Sequence, residues 1–268
     1  MPLTLTPLLS IPLIHPGDDL TKIVLTALHA SCITLHNNDI LVITSKIVSK
    51  AEGRLVNLDV VVPLERAFEL ATRSAKDVRL AELILQESRE VLRVRPGTII
   101  VEHRLGFVCA NAGIDHSNVS PLLPGDRQAQ VSEAERARAE NWVLLLPENP
   151  DHSAAEIRAK LEAVSGKRLG VMIIDSHGRA WRLGVVGTCI GLSGLPAIVD
   201  KRGAPDLFGY RLRITLIAVA DELAAAASLV MGQVAEGTPV VHVRGFPYPL
   251  REGSLSELLR PKEEDMFR

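Results

Sequence analysis

Apolar residues recur along the chain in two registers. Short runs of β-branched and aliphatic residues, bounded by turn formers, predict strands over 40–43, 98–102, 107–111, 169–174, 213–219 and 239–243. Between them, apolar positions three and four apart predict helices over 19–30, with Asp18 as the cap, and over 64–74, 77–90, 153–164 and 221–231. The order is mixed, neither strict strand–helix alternation nor an all-strand run. It predicts an α+β architecture of mixed sheets with packed helices, and a doubly wound sheet is the alternative. No repeat and no Pro- or Ser-rich linker divides the chain, so 1–268 reads as a single domain whose lobes are interleaved rather than strung in series. Segment 124–141 is rich in Glu, Arg, Ala and Gln and poor in large apolar residues, and reads as a mobile, solvated loop.

Composition then narrows the function. Aromatic residues make up only 3% of the chain, so the core must be built from Val, Ile, Leu and Ala. Thirty Lys and Arg against 32 Asp and Glu leave a net charge of -2, with no run of like charge long enough to track a phosphate backbone, so no nucleic-acid partner is expected. The stretch 183–199 is free of Asp, Glu, Lys and Arg, equalled in length only by 1–17, but it carries four glycines and Pro196 and falls short of the ~20 apolar residues a bilayer requires. No membrane partner is expected either. The apolar N-terminus lacks a basic leader and is broken by Pro2, Pro7 and Pro12, which makes it a poor secretory signal. Three dispersed cysteines, Cys32, Cys109 and Cys189, form no C-x-x-C pair, which argues against a disulfide framework or a zinc ribbon and for a cytoplasmic protein.

Four polar clusters follow strands or occupy Gly-containing turns, where rigid scaffolds present functional side chains. The first runs from Thr44 and Ser45 through Lys46, Ser49 and Lys50 to Glu52, Gly53 and Arg54. Its hydroxyls and lysines suit phosphate oxygens; a solvated, hydroxyl-rich turn explains the same residues. The second, Asn111 to Asn118, offers oxygens from Asp115 and Asn118, suited to a hard cation or to an Asx-turn closing on its own backbone. The third places Asp175 and Ser176 where an apolar strand ends, the posture of a metal-ligand Asp in a nucleotide site or of a structural cap, with Arg179 and Arg182 following. His116 and His177 have no partner at metal-ligand spacing and read as solvent-facing. The fourth is a helix end running through a Gly-containing loop into a strand, 229–239, able to approach phosphates through backbone N–H groups or to serve as a plain connection. Neither G-x-G-x-x-G nor the Walker signature occurs.

Together the clusters form an ordered series: Ile11-Pro12-Leu13-Ile14; Ser45 with Ser49-Lys50-Ala51-Glu52-Gly53-Arg54; Asn111-Ala112-Gly113-Ile114-Asp115 with Ser117-Asn118; Asp175-Ser176 with Gly178-Arg179; Arg182-Leu183-Gly184-Val185-Val186-Gly187; and Met231-Gly232 before Val243-Arg244-Gly245. The series resembles the coenzyme F420:L-glutamate ligases, the F420-0 gamma-glutamyl ligase family. The resemblance implies a GTP-dependent enzyme that joins L-glutamate to F420-0, and a further γ-linked glutamate to F420-1, through an acyl phosphate. It also implies an intertwined homodimer, two divalent ions (Mg2+ or Mn2+) with K+ as a further ion, and a stand-alone form without the flavin domain fused in some relatives. Asp115 and Asp175 match the family's metal-binding carboxylates and, with Lys50, its catalytic positions; Ser176 and Gln233 stand at the second metal. Ile11, Pro12, Leu13, Ile14, Ser45, Lys46, Lys50, Asn118 and the loop Met231, Gly232, Gln233, Val234, Ala235, Glu236, Gly237, Thr238 match nucleotide-contacting positions. Two of these depart from the pattern: Lys46 replaces a small residue, its charge meeting a phosphate or pointing to solvent, and Gln233 replaces a Glu. A metal-dependent nucleotide phosphohydrolase and a non-catalytic nucleotide-binding homologue are the competing readings.

Overall fold

A computed structural model describes residues 2–119 and 141–266. Its larger sheet has five strands in the order β1 (Thr4–Pro7), β12 (Val240–Arg244), β2 (Ile40–Thr44), β8 (Gly170–Arg179) and β9 (Arg182–Ser193). Only β2 and β8 run parallel, with Ile40 opposite Gly170 and Thr44 opposite Ile174; every other pairing in this sheet is antiparallel. The unbroken apolar character of β2 follows from burial on both faces. Leu41 and Ile43 join Val171 and Ile173 under α1 (Leu20–Ala30) and α5 (Pro150–Ser165), while Ile40 and Val42 join Met172 and Ile174 under α6 (Val219–Met231).

A second lobe has its own core. The helices α3 (Glu65–Ser74) and α4 (Val78–Gln86) cover the antiparallel meander β4 (Ser88–Arg95), β5 (Thr98–His103) and β6 (Val108–Ala110), burying Leu70, Ile84, Ile99 and Val101. The chain enters this lobe along β3 (Leu55–Asn57) and leaves along β7 (Trp142–Leu144), which pair antiparallel as a two-stranded ribbon. Phe107 packs against both cores. The lobes are thus interleaved, and the architecture is α+β rather than doubly wound. Among the described residues no helix is long and apolar enough to cross a membrane.

Several predicted boundaries move. Asp19, not Asp18, caps α1: its carboxylate accepts from the N–H groups of Thr21 and Lys22, whereas Asp18 accepts from His15 N–H at 2.7 Å. The helix expected over 77–90 stops at Gln86, because Glu87 turns into a buried ion network and Ser88–Arg95 pairs with β5. Of the strand expected over 213–219 only β11 (Leu216–Ile217) forms, against β10 (Val199–Asp200), and Val219 already opens α6. The Gly-rich run after Arg182 is strand β9, because helices pack directly on its glycines. An alanine Cβ at Gly187 would lie 2.6 Å from the Ala224 carbonyl of α6, and one at Gly191 would lie 2.5 Å from the Pro150 backbone of α5. The loop expected at 124–141 lies outside the described residues except for Asn141, whose carbonyl accepts from Leu58 N–H at 2.8 Å.

Candidate active site

The site forms where β2 ends and β8 runs on past it. The first polar cluster is not a turn but a short helix, α2 (Ser45–Ala51), started by the Thr44 hydroxyl accepting from Lys46 N–H. Positions four apart on it share a face. Ser45 and Ser49 are buried, while Lys46 and Lys50 lie on another side and reach the loop after β6. Asp175 does not stand at a strand end; it lies within β8, one residue beyond the last parallel pair with β2.

Consecutive residues of α2 engage the two carboxylates. The Ser45 hydroxyl donates to Asp175 Oδ1 at 2.7 Å, and Lys46 Nζ lies 2.7 Å from Asp115 Oδ2. Lys46 also donates to the Ser117 carbonyl and hydroxyl, each at 3.0 Å, so its ammonium is held by the chain's own oxygens rather than pointing to bare solvent. Asp115 Oδ1 accepts from Ser117 N–H at 2.7 Å, an Asx-turn that holds the carboxylate in place. Lys50 Nζ donates to the Asn118 carbonyl, and Asn118 Nδ2 donates to the Val234 carbonyl, which ties α2 to the loop after α6. Opposite, the Ser176 hydroxyl donates to Gln233 Oε1 at 2.9 Å, and Gln233 Nε2 donates to Ser228.

Both carboxylates are ionised. Burial pushes each pKa up, but the His177 imidazole and Ser45 hydroxyl beside Asp175, and the Lys46 ammonium beside Asp115, bring both below the ordinary carboxylate value. Burial, reinforced by the charge of Lys46, lowers the Lys50 ammonium pKa.

His177 corrects its expectation: it is largely buried, its Nε2 3.0 Å from Asp175 Oδ2 though off the line of a hydrogen bond. Its ring tilts against Phe107, which stacks on the buried His103 with ring centroids 5.2 Å apart in both pairs. Beside His103 lies Glu87, gripped by Arg54 and Arg104. No spacing rule marks His177, Phe107, His103 and Glu87 as neighbours; only the return of the chain between lobes brings them together. Glu52 serves the scaffold, accepting from the Ser153 hydroxyl and from Glu148 N–H.

Comparison with known proteins decides the family. A profile of the F420-0:Gamma-glutamyl ligase family matches residues 8–245. The chain belongs to this family of enzymes. The coenzyme F420:L-glutamate ligase of Methanothermobacter thermautotrophicus is 45% identical over 259 residues, covering 96% of this chain and 95% of the relative. Proteins of the same name from Methanocaldococcus jannaschii and Archaeoglobus fulgidus are 40% identical over 260 residues and 41% identical over 262, each covering at least 97% of this chain and 95% of the relative.

Within this gamma-glutamyl ligase family member, the residues matched by motif do not all gather. Asp175 with Ser45, Asp115 with Lys46, Asn118 with Lys50 and Val234, and Ser176 with Gln233 form four hydrogen-bonded sets, brought together because Ser45, Lys46 and Lys50 share α2 and Asp175 and Ser176 are neighbours on β8. Ile14 is buried in the core with Ile11 packed against it, while Pro12 and Leu13 are exposed. Glu236 folds back on its own loop, accepting from Val234 N–H, and Thr238 donates to the Met231 carbonyl. The donors at the centre are all oxygens, the set that hard divalent cations prefer. Among the described residues no group of three or more His, Cys, Asp and Glu forms a closed cage.

Proposed function

We propose that the chain is a coenzyme F420:L-glutamate ligase, which spends GTP to join L-glutamate to F420-0 and adds a further γ-linked glutamate. The observation that carries this reading is the pair of separate carboxylates, Asp115 and Asp175, held by consecutive residues of α2 within a family of gamma-glutamyl ligases. A carboxylate is a poor electrophile. Transfer of the γ-phosphoryl group to the acceptor carboxylate forms a C–O–P linkage and releases GDP; the glutamate amine then bonds to the carbonyl carbon, the C–O bond to phosphate breaks, and the amine gives up its proton. Such chemistry asks the protein chiefly for positioning and for charge neutralisation. Asp115, Asp175, Ser176 and Gln233 are the residues that would hold two divalent ions, Mg2+ or Mn2+, which supply positive charge opposite the phosphate oxygens. Lys46 and Lys50 supply cationic charge from the protein itself, Asn118 couples Lys50 to the 231–238 loop, and Ser45 fixes the orientation of Asp175, with His177 packed beside it.

The enzyme acts in the cytoplasm as a homodimer. The dimer is supported by the segment between β10 and β11, where Leu207 and Phe208, 98% and 95% exposed, offer adjacent apolar side chains that a second copy would cover.

Incubation with F420-0, glutamate, GTP and Mn2+ tests the function. The expected result is glutamate-dependent release of GDP and phosphate, with F420 species heavier by whole glutamyl units in the mass spectrum. Phosphate release without amide product would replace the ligase with a phosphohydrolase, and no turnover would leave a nucleotide-binding homologue.

A further inference from the structure

The ammonium of Lys46 has three protons to donate and three oxygens around it: Asp115 Oδ2 at 2.7 Å, and the Ser117 carbonyl and hydroxyl at 3.0 Å each. Every donor is spent. A carboxylate, a carbonyl and a hydroxyl converging on one point are also the donor types that a hard inorganic cation takes. Asp115 Oδ1 is occupied as well, by Ser117 N–H, so one oxygen of this carboxylate closes the loop and the other is neutralised by the chain's own cation. Lys50 cannot substitute, because its ammonium reaches the Asn118 carbonyl one residue further along.

We propose that Lys46 is an internal counter-ion that fills the Asp115 half of the cation site until a nucleotide phosphate draws it away, so that divalent metal binds tightly only together with nucleotide. This inference rests on the reading of Asp115 as a metal ligand. A free divalent ion approaching Asp115 must displace an ammonium whose one ion pair among the described residues is with Asp115 itself. A metal–nucleotide complex brings phosphate oxygens, which offer Lys46 a new partner while Asp115 turns to the metal. Metal and nucleotide are then positively coupled, and linkage requires the coupling to be reciprocal.

Mn2+ binding to the whole chain, read from the electron paramagnetic resonance signal of the free ion, tests this without turnover. In the absence of nucleotide, Lys46→Met should bind Mn2+ about tenfold more tightly than wild type, as expected for removal of a half-buried charged competitor. Lys46→Arg, which keeps the charge, should stay weak. Addition of GDP should tighten Mn2+ binding in wild type and do so much less in Lys46→Met. Equal or weaker Mn2+ binding by Lys46→Met without GDP, or no binding by either protein, overturns the proposal. Should Lys46→Met fail to fold by circular dichroism, Lys46→Gln carries the same expectation. Asp115→Asn separates the two levels of the argument. If it leaves Mn2+ binding with GDP intact, the reading of Asp115 as a ligand is wrong; if it abolishes that binding while Lys46→Met behaves as wild type, Asp115 stands and Lys46 is no counter-ion.

Discussion

Asp175→Asn keeps the shape of the side chain and its acceptor for the Ser45 hydroxyl but removes a negative charge where positive charge must gather, so turnover should fall about 100-fold or more in a steady-state GDP-release assay. Asp115→Asn should lower it on the same scale. Gln233 already contacts Ser176 through Oε1 and Ser228 through Nε2. Gln233→Glu gives up the second bond for a charge, and should lower the Mn2+ concentration needed for half-maximal rate; superimposable metal titrations of the two proteins would remove Gln233 from the second ion. Glu87 answers to pH instead. Burial raises its pKa, but His103, Arg54 and Arg104 outweigh burial and bring it from 4.5 to about 2. The folded state thus holds this proton less tightly than the unfolded chain, so the stabilisation is complete above pH 4.5 and disappears as pH falls through 2. Glu87→Gln should cost at most about 3 kcal/mol at pH 7 by chemical denaturation, and the difference from wild type should shrink as the solution is acidified below pH 4.5.

At the scale of elements, the sheet was legible in the sequence and its neighbours less so. The runs 40–43 and 239–243 announced β2 and β12 because burial on both faces demands unbroken aliphatic residues. α2 escaped notice because Ser45, Lys46, Ser49 and Lys50 are ordinary turn residues whose helical spacing becomes meaningful only when Asp175 lies on one side and the 115–118 loop on the other. β9 escaped for the opposite reason: Gly187 and Gly191 look like loop residues, yet they are the price of close approach. Their consequence is testable. Gly187→Ala puts a Cβ 2.5 Å from Ser228 Cβ and 2.6 Å from the Ala224 carbonyl, forcing α6 outward, and should cost about 1–3 kcal/mol in denaturant unfolding. Since α6 leads into the loop bearing Gln233 and Val234, nucleotide affinity should weaken in the same variant. The motif series was legible as an order of residues, and the polar core of the site follows it; the chain His177, Phe107, His103 and Glu87 was not, because its members meet only through the interleaving of the lobes.

At the scale of the whole molecule, Phe208→Asp should shift the sedimentation coefficient from dimer toward monomer, since a charge in the proposed interface loses hydration without gaining a partner. The threading of the chain through its two lobes also sets an order in time. β2 must wait for β8, some 130 residues later in the case of the Ser45–Asp175 contact, and for β12, 203 residues beyond Asp39 at the Asp39–His242 contact. The meander β4, β5 and β6 closes over short turns and pays little loop entropy. Pulse-labelled hydrogen exchange during refolding should therefore protect the amides of Ile99 and Val101 before those of Leu41 and Val42. On a ribosome the same asymmetry leaves Asp115 waiting on a nearly finished lobe until β8 emerges with Asp175 and β12 closes the sheet beside β2. The proposed catalytic centre is among the final parts of the protein to exist, and a truncated nascent chain carries one carboxylate without the other.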